Sequence, residues 1–485
     1  MFLRPQFFAE RNDYMAKQLF NSSDKSNFIL NMTQEAYSSR AIKALISTVL
    51  ITSVASAIPL ISGIKVHTFS AMGLMLGGVF CLVLAIIALL KKFVEKRLIL
   101  PMAAIGFGLV WAFVSMINSY DMNVSLNGYA GRGEGIFSLL FYASFFVSAS
   151  ALKGDKFRKT LLGGILVNGF INSVVGIVQI FTGEFSDFAN ASLKVKINAA
   201  AGLSQSPIFL AMVLSISIVA AISGLIVFEK KKSKIMCVVC ICLFSFVNMF
   251  TYSLVGICGT ALAVIVGIIL IIALKAPKIN LLSVLGVIIP SVAAVIIVNC
   301  GLIGNIDSYR LYDGRIMWFA DSYMRLNSSG NFDKDALDID DTGDVYYTLN
   351  RKAGNIISSN GLLGTGPDQF IYPQLYNLGV TETDAAYVED IAVLNNGTID
   401  RVYNEYLNVA ATRGIPSVIA FAAALLGIIA AGIKSFKRDK NSITLCMLLM
   451  TVMSALLFVI CCSSTAFTPI FWIFAGACVA RKNNA

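Results

Sequence analysis

The chain has 485 residues, of which 57% are hydrophobic and 14% are charged, and its mean hydropathy is +0.76. Soluble globular domains carry roughly 25% charged residues, so this composition excludes such a domain and indicates a polytopic membrane protein. The net charge of +10 does not indicate a nucleic-acid partner, because the basic residues occur in short runs between apolar stretches.

Twelve apolar stretches are long enough for membrane-spanning helices, which need about 20 residues each. They lie at 42–63, 69–90, 98–118, 136–152, 161–182, 203–228, 235–252, 256–274, 280–303, 415–433, 442–461 and 465–480. The expected fold class is therefore an all-α polytopic membrane protein with about 12 transmembrane helices. The seventh and eighth spans meet in a tight hairpin at Thr251 to Leu254, and the last two meet at Ser463 and Ser464. We expect no cleaved signal peptide, since the first forty residues lack an apolar core with a cleavage site.

Lysine and arginine runs mark one side of this bundle. They follow every second span, at 91–97, 153–159, 230–234, 275–278, 434–440 and 481–482. Basic loops face the cytoplasm. We therefore expect the N-terminal segment 1–41 and the tail 481–485 to be cytoplasmic, with nine spans in 42–303 and three in 415–480. Residues 304–414 would form one large, partly helical extracytoplasmic loop before the tenth span.

This outer loop is acidic. Residues 304–400 carry 15 Asp and Glu against 6 Lys and Arg, whereas the rest of the chain carries 13 against 32. A run of aspartates from Asp333 to Asp344 lacks the glycine and the final glutamate of a calcium loop, so it predicts a solvated surface rather than a metal site. An amphipathic helix is predicted at 345–358. After it come Gly361, Gly364 and Gly366, which indicate a tight turn and allow close backbone approach to a phosphate or sugar.

Arginines at the outer ends of the spans run against the positive-inside trend and need a local reason. A diphosphate ligand would supply one, because guanidinium groups bind phosphate oxygens bidentately and stay charged. The alternative is pairing with nearby carboxylates, for example Arg132 with Glu134. The arginines concerned are Arg132, Arg310, Arg315, Arg325, Arg351, Arg401 and Arg413.

The loop ends in a polar and aromatic segment, Tyr403 to Asn408, just before the tenth span. At helical spacing Tyr403, Leu407 and Ala410 share one face. One interpretation is a helix lying on the membrane with its tyrosines at the interface. Its position beside Arg401 favours a functional role.

Four short motifs, all on the predicted outer side, resemble those of the bacterial O-antigen ligase and O-antigen polymerase family of membrane glycosyltransferases. The resemblance covers most of the chain in topology but only these patches in motif. They are Arg132-Gly133-Glu134-Gly135, Gly314-Arg315…Trp318, Gly361-Leu362-Leu363-Gly364-Thr365-Gly366-Pro367…Phe370 and Asn404-Glu405-Tyr406-Leu407…Gly414-Ile415-Pro416.

The resemblance implies an inverting, metal-independent glycosyltransferase without a cofactor. Such an enzyme takes a glycan from undecaprenyl diphosphate in the bilayer and transfers it to an acceptor glycan or lipid. Arg132 and Arg315 match the family's arginines and would stabilise the leaving diphosphate, with Arg401 as a third candidate. The remaining candidates for substrate binding are Arg310, Trp318, Gly364, Gly366 and Asn404.

The chain departs from the family at one position. Ligases carry a histidine where this chain has Tyr403, and the only histidine, His67, matches no family motif. Tyrosine is a poor base at neutral pH. Glu405 or Asp400 could accept the proton, or positioning alone could carry the step. The missing histidine favours a polymerase over a ligase, and a member without activity is a further alternative.

Proteins of another class also reach this size and topology. A secondary transporter usually shows internal repeats and ionisable residues near the midplane, and neither is evident here. A lipid-linked glycan flippase would share the substrate, but its cations should lie in a central cavity rather than at the outer rim. A glycan polymerase of the cell envelope is the function that the sequence favours.

Overall fold

The computed structural model describes residues 32–55, 57, 68–128, 132–182, 199–204, 206–251, 253–274, 277–299, 342–370 and 401–480. Every regular element in these ranges is helical. The α-helices are α1 (Gln34–Ala55), α2 (Thr68–Leu90), α3 (Ile99–Ser115), α4 (Met122–Asn127), α5 (Ile136–Ser150), α6 (Asp155–Thr182), α7 (Pro207–Val227), α8 (Lys231–Met249), α9 (Leu254–Leu274), α10 (Pro277–Asn299), α11 (Thr342–Asn360), α12 (Glu405–Arg413), α13 (Ile415–Asp439), α14 (Ser442–Leu457) and α15 (Thr468–Ala477).

Eight of the described helices are long and apolar enough to cross a membrane: α1, α2, α3 with its flanking 3₁₀ turns, α6, α7, α8, α9 and α13. The predicted all-helical membrane fold is confirmed at this level. The other four predicted spans correspond to shorter apolar helices, at Ile136–Ser150, Leu281–Ile297, Ser442–Leu457 and Thr468–Ala477. The number of about 12 spans stays a prediction, since eight of the described helices reach the length of a span.

Two predicted boundaries are wrong. The first helix begins at Gln34 rather than at residue 42, because Tyr37 and Ala41 are buried in the core and the Gln34 amide donates to the Ala151 carbonyl at 3.0 Å. The last two helices do not meet at Ser463 and Ser464, since α14 ends at Leu457 and α15 begins at Thr468. The hairpin between α8 and α9 lies where it was predicted.

Helix α7 is the centre of the bundle, and 94% of its most apolar window is buried. Ser206 accepts the Ile208 amide proton and caps its start, while Pro207 occupies the first turn, where a missing N–H is tolerated. The helix packs against α6, α8, α9 and α14. A helix that is apolar on every face is stable only when other helices surround it.

The helices α5, α14 and α15 are short for membrane spans. Their 15, 16 and 10 residues cover roughly 22, 24 and 15 Å, against about 30 Å for the hydrocarbon core. Each has a basic run close to one end in the sequence. The other ends converge, since Ser463 between α14 and α15 bonds to Glu134 just before α5, and a recess lies between them on the side predicted to be outer.

Candidate functional site

The recess holds a cluster of ionisable side chains from segments that are far apart in sequence. Three ion pairs form it: Arg132 with Asp368, Arg401 with Glu134 at 3.4 Å, and Arg413 with Glu405 at 3.5 Å. The first two pairs join residues 236 and 267 positions apart. We call Arg132, Glu134, Asp368, Arg401, Glu405, Arg413 and Ser463 the charged cluster.

Local structure fixes each member of the charged cluster. Arg132 and Glu134 lie in the turn just before α5, Asp368 lies in the turn after α11, and Arg401 and Glu405 flank the start of α12. All six charged side chains are no more than 16% exposed. Buried charges are tolerated only when they are paired, so the three arginines and three carboxylates balance one another.

Glu134 is held by two hydroxyl groups as well as by Arg401. The Tyr142 hydroxyl donates to Oε1 at 2.9 Å, and the Ser463 hydroxyl donates to Oε2 at 2.8 Å. Burial raises the pKa of Glu134 to about 7, an effect that Arg401 opposes and that the neighbouring charges of Asp368 and Glu405 reinforce. The carboxyl group can therefore exchange a proton near neutral pH.

Glu405 is fastened to the backbone. Its Oε2 accepts the Ser463 amide proton at 2.8 Å, and its own amide donates to the carbonyls of Phe458 and Cys461 at 2.8 and 3.0 Å. These bonds satisfy the backbone carbonyls that follow the end of α14. Residues 458–467 therefore do not continue the helix, and no tight hairpin forms there. Burial lowers the pKa of Arg413, which Glu405 opposes, and the guanidinium remains charged.

The glycine-rich turn positions Asp368. Gly364 and Gly366 have φ of +70° and +96°, which side chains rarely tolerate. A Cβ on Gly364 would lie 2.5 Å from the Thr412 carbonyl carbon, so the close backbone approach predicted for this turn is made to α12 of the chain itself. Asp368 has φ of +61°, a strained conformation that is common at functional sites. Substrate contacts of Gly364 and Gly366 stay a prediction.

The other predicted site residues differ in what the structure shows of them. Asn404 caps α12 by accepting the Leu407 amide proton at 3.1 Å. Tyr403 is half-buried and precedes the helix, so it does not share a helical face with Leu407 as predicted. Tyr403 packs instead between the main hydrophobic core and a small cluster around Phe370 and Val402. Outside the described residues lie Arg310, Arg315, Trp318 and Asp400.

A cavity of about 60 Å³ adjoins the charged cluster and can hold roughly four waters. Its lining includes the polar residues Glu134, Asp368, Glu405 and Asn408 and the aromatic residues Phe421, Phe471 and Trp472. The Asn408 Oδ1 is buried and has no hydrogen-bond partner among the described residues. Within the same ranges, no group of three His, Cys, Asp or Glu side chains is placed to hold a metal ion.

Sequence reasoning missed four members of the charged cluster as site residues, and Arg413 among them was noted only as one of the outer-side arginines. Glu134 was weighed only as a partner of Arg132, which the structure pairs with Asp368. Asp368 belongs to the third motif, and an acidic residue after a Gly-Pro turn is a signal that could have found it. Ser463 carries no signal of its own, because its contribution depends on a loop conformation that other segments impose.

Comparison with known proteins finds no matching family model and no matching curated protein. The resemblance to the O-antigen ligase and polymerase family therefore rests on the four motifs.

Proposed function

We propose that this chain is a membrane glycan polymerase. It transfers an oligosaccharide linked to a polyprenyl diphosphate onto an acceptor glycan at the outer face of the bacterial cytoplasmic membrane. A ligase with a lipid or protein acceptor is the alternative within the same chemistry. The observation that carries the proposal is the meeting of three motif segments in one buried charged cluster beside a cavity, where the contact of Arg401 with Glu134 spans 267 positions.

Arg132 and Arg401 suit the departure of a lipid diphosphate. As the bond from the sugar to phosphate breaks, negative charge builds on the leaving group, and fixed guanidinium groups stabilise that charge more in the transition state than before it. Both arginines carry carboxylate partners in this structure. The donor's phosphate oxygens would replace Asp368 as the partner of Arg132 and would bind Arg401 beside Glu134, because a multiply charged anion binds guanidinium groups strongly.

The aromatic residues that line the cavity complement its polar residues. Ligand sites combine apolar and aromatic walls with a few placed polar groups, and Phe421, Phe471 and Trp472 provide such a wall for a sugar face or a prenyl chain. The cavity of about 60 Å³ is smaller than the few hundred Å³ that small-molecule sites enclose. Donor binding therefore requires the surrounding segments to move apart.

The test is the length of the glycan made by cells that lack the protein. The deletion strain is complemented with the wild type, with Arg132→Ala or with Arg315→Ala, and the lipid-linked and surface glycans are separated by size. We expect long chains with the wild type and single repeat units with the deletion and with both variants. Arg351→Ala is the matched control, because it also removes an outer-side arginine, one that is exposed on α11.

Other outcomes separate the alternatives. Full-length polymer that stays lipid-linked in the deletion strain would indicate a ligase. Unchanged glycan in that strain would contradict the proposal and favour a transporter. Long chains with both arginine variants would remove the role given to these arginines in binding the diphosphate.

A further inference from the structure

We propose that Glu134 accepts the proton of the incoming sugar hydroxyl, and that this proton transfer is coupled to departure of the diphosphate through Arg401. The inference rests on the proposed function and deepens it. The sequence offers Glu405 or Asp400 as the proton acceptor. This inference assigns that role to Glu134, in the turn before α5.

Three carboxylates of the described residues line the cavity, and their contacts distinguish them. Asp368 is in an ion pair with Arg132. Glu405 accepts a backbone N–H and faces Arg413. A backbone N–H cannot turn away when the carboxyl group takes up a proton, so protonation of Glu405 would weaken a bond that fixes the loop.

Glu134 has partners that adapt to protonation. Two of them are hydroxyl groups, from Tyr142 at 2.9 Å and Ser463 at 2.8 Å. A hydroxyl donates to a carboxylate and can rotate to accept from a carboxylic acid. Glu134 can therefore gain a proton and keep a hydrogen bond to each of the two hydroxyl groups.

The reaction balances around this residue. The acceptor hydroxyl oxygen forms a bond to the anomeric carbon, and the bond from that carbon to the phosphate oxygen breaks. The electron pair leaves with the lipid diphosphate, and the hydroxyl proton goes to Glu134. Asn408, whose Oδ1 faces no partner among the described residues, lines the same cavity and can accept a hydrogen bond from the acceptor sugar.

Arg401 couples the two halves of the step. Its Nη1 lies 3.4 Å from Glu134 Oε2 and also donates to the Ser463 carbonyl, while Phe209 lies 5.0 Å below the guanidinium carbon. When Glu134 takes the proton it loses its negative charge. The positive charge of Arg401 then acts on the diphosphate at the moment when negative charge builds there.

The electrostatic surroundings suit a base that works near neutral pH. Burial places the pKa of Glu134 at about 7, and a general base is most effective when its pKa lies close to the working pH. The charged and titratable groups that act on Glu134 are Arg401, Asp368, Glu405 and Arg132, with Tyr142 bonded to it and Arg413 in the same cavity.

The experiment uses full-length protein in nanodiscs, with lipid-linked repeat units extracted from the producing cells. Single-turnover rates are measured from pH 5.5 to 9. The wild-type rate should rise through about pH 7, because the base must be ionised before it can accept a proton. Glu134→Gln should lower the rate by about 10²- to 10⁴-fold and abolish this rise. Glu134→Asp should retain the rise at a lower rate.

The pH dependence of the Ser463→Ala variant is a readout that would not change if Glu134 had a purely structural role. Loss of its hydroxyl removes a donor to the carboxylate, so the rise should persist and shift to higher pH. Undecaprenyl diphosphate is the binding probe, measured by its thermal stabilisation of each variant. Glu134→Gln should bind the probe at least as well as the wild type, since Arg401 no longer faces a carboxylate.

Three outcomes of these experiments distinguish a failure of the inference from a failure of the proposed function. A Glu134→Gln variant with the wild-type rate and the same rise would overturn the inference while leaving the polymerase proposal intact. Loss of both transfer and probe binding in that variant, with Glu134→Asp inactive as well, would also overturn it and assign Glu134 a structural role. A wild type that does not transfer, from a gene whose deletion leaves glycan unchanged, would overturn the proposed function itself.

Discussion

Two buried arginine clusters lie at opposite ends of the bundle and are built differently. At the basic end Arg158 pairs with Asp155 three residues earlier and donates to the Thr444 hydroxyl at 2.8 Å. The Asn441 amide donates to the two Asp155 oxygens at 3.0 and 2.9 Å. We call these four residues the inner cluster. They join α6 to α14 and do not line the cavity.

The difference supports a structural role for the inner cluster and, under the proposed function, a catalytic role for the charged cluster. The inner cluster combines a local ion pair with hydrogen bonds, and Asp155 reaches solvent, with a side chain 33% exposed. The charged cluster buries three ion pairs between distant segments. Buried ion pairs are seldom more stabilising than apolar side chains of the same size, so several of them beside a cavity suggest a role in chemistry.

Replacing Arg401 or Arg158 with alanine tests this distinction. The Arg401 variant should give the largest effect on the rate. Arg401→Ala should lower the rate of glycan extension by about 10²-fold or more per folded molecule, because it removes a charge that we propose stabilises the leaving diphosphate. Arg158→Ala should lower the amount and the thermal stability of the protein, with a rate per molecule within about twofold of wild type. Extension by protein in nanodiscs, normalised to the monodisperse fraction, measures both.

Similar behaviour of Arg401→Ala and Arg158→Ala would contradict this distinction between the two clusters. Equal losses of rate per folded molecule would mean that the inner cluster also shapes the site. An active Arg401→Ala variant would leave Arg132 as the only described arginine proposed to stabilise the leaving group.

Glu405→Gln should give a smaller effect on rate and a clear effect on stability. Glutamine keeps an oxygen that can accept the Ser463 amide proton, but it removes the charge facing the buried Arg413. We expect a lower melting midpoint in detergent and a rate within about tenfold of wild type, with its rise through neutral pH retained. Loss of that rise would make Glu405, rather than Glu134, the proton acceptor.

The sequence predicts the helices well, because apolar runs and basic flanks report directly on membrane burial. It places α1 too late, since polar residues such as Gln34 and Ser38 are helical for reasons of packing against α5 and its following turn. The motifs identify Arg132 as a candidate, and the excess of arginines at the outer ends of the spans identifies Arg401. They do not reveal the Arg132–Asp368 pair, because a contact between residues 236 positions apart depends on the whole fold.

Tyrosine substitutions at neighbouring positions give the smallest expected effects and address the missing histidine. Tyr406 donates to the Ala455 carbonyl at 2.8 Å, and burial raises its pKa to about 12. Tyr406→Phe should therefore cost about 1 kcal/mol of stability and leave the rate per molecule unchanged.

Tyr403→Phe keeps the ring that packs between the two hydrophobic clusters. It should alter the rate by no more than about threefold, because a neutral phenol is a poor base. A loss beyond about 100-fold for Tyr403→Phe, with Tyr406→Phe active, would return the proton transfer to the position where ligases carry histidine.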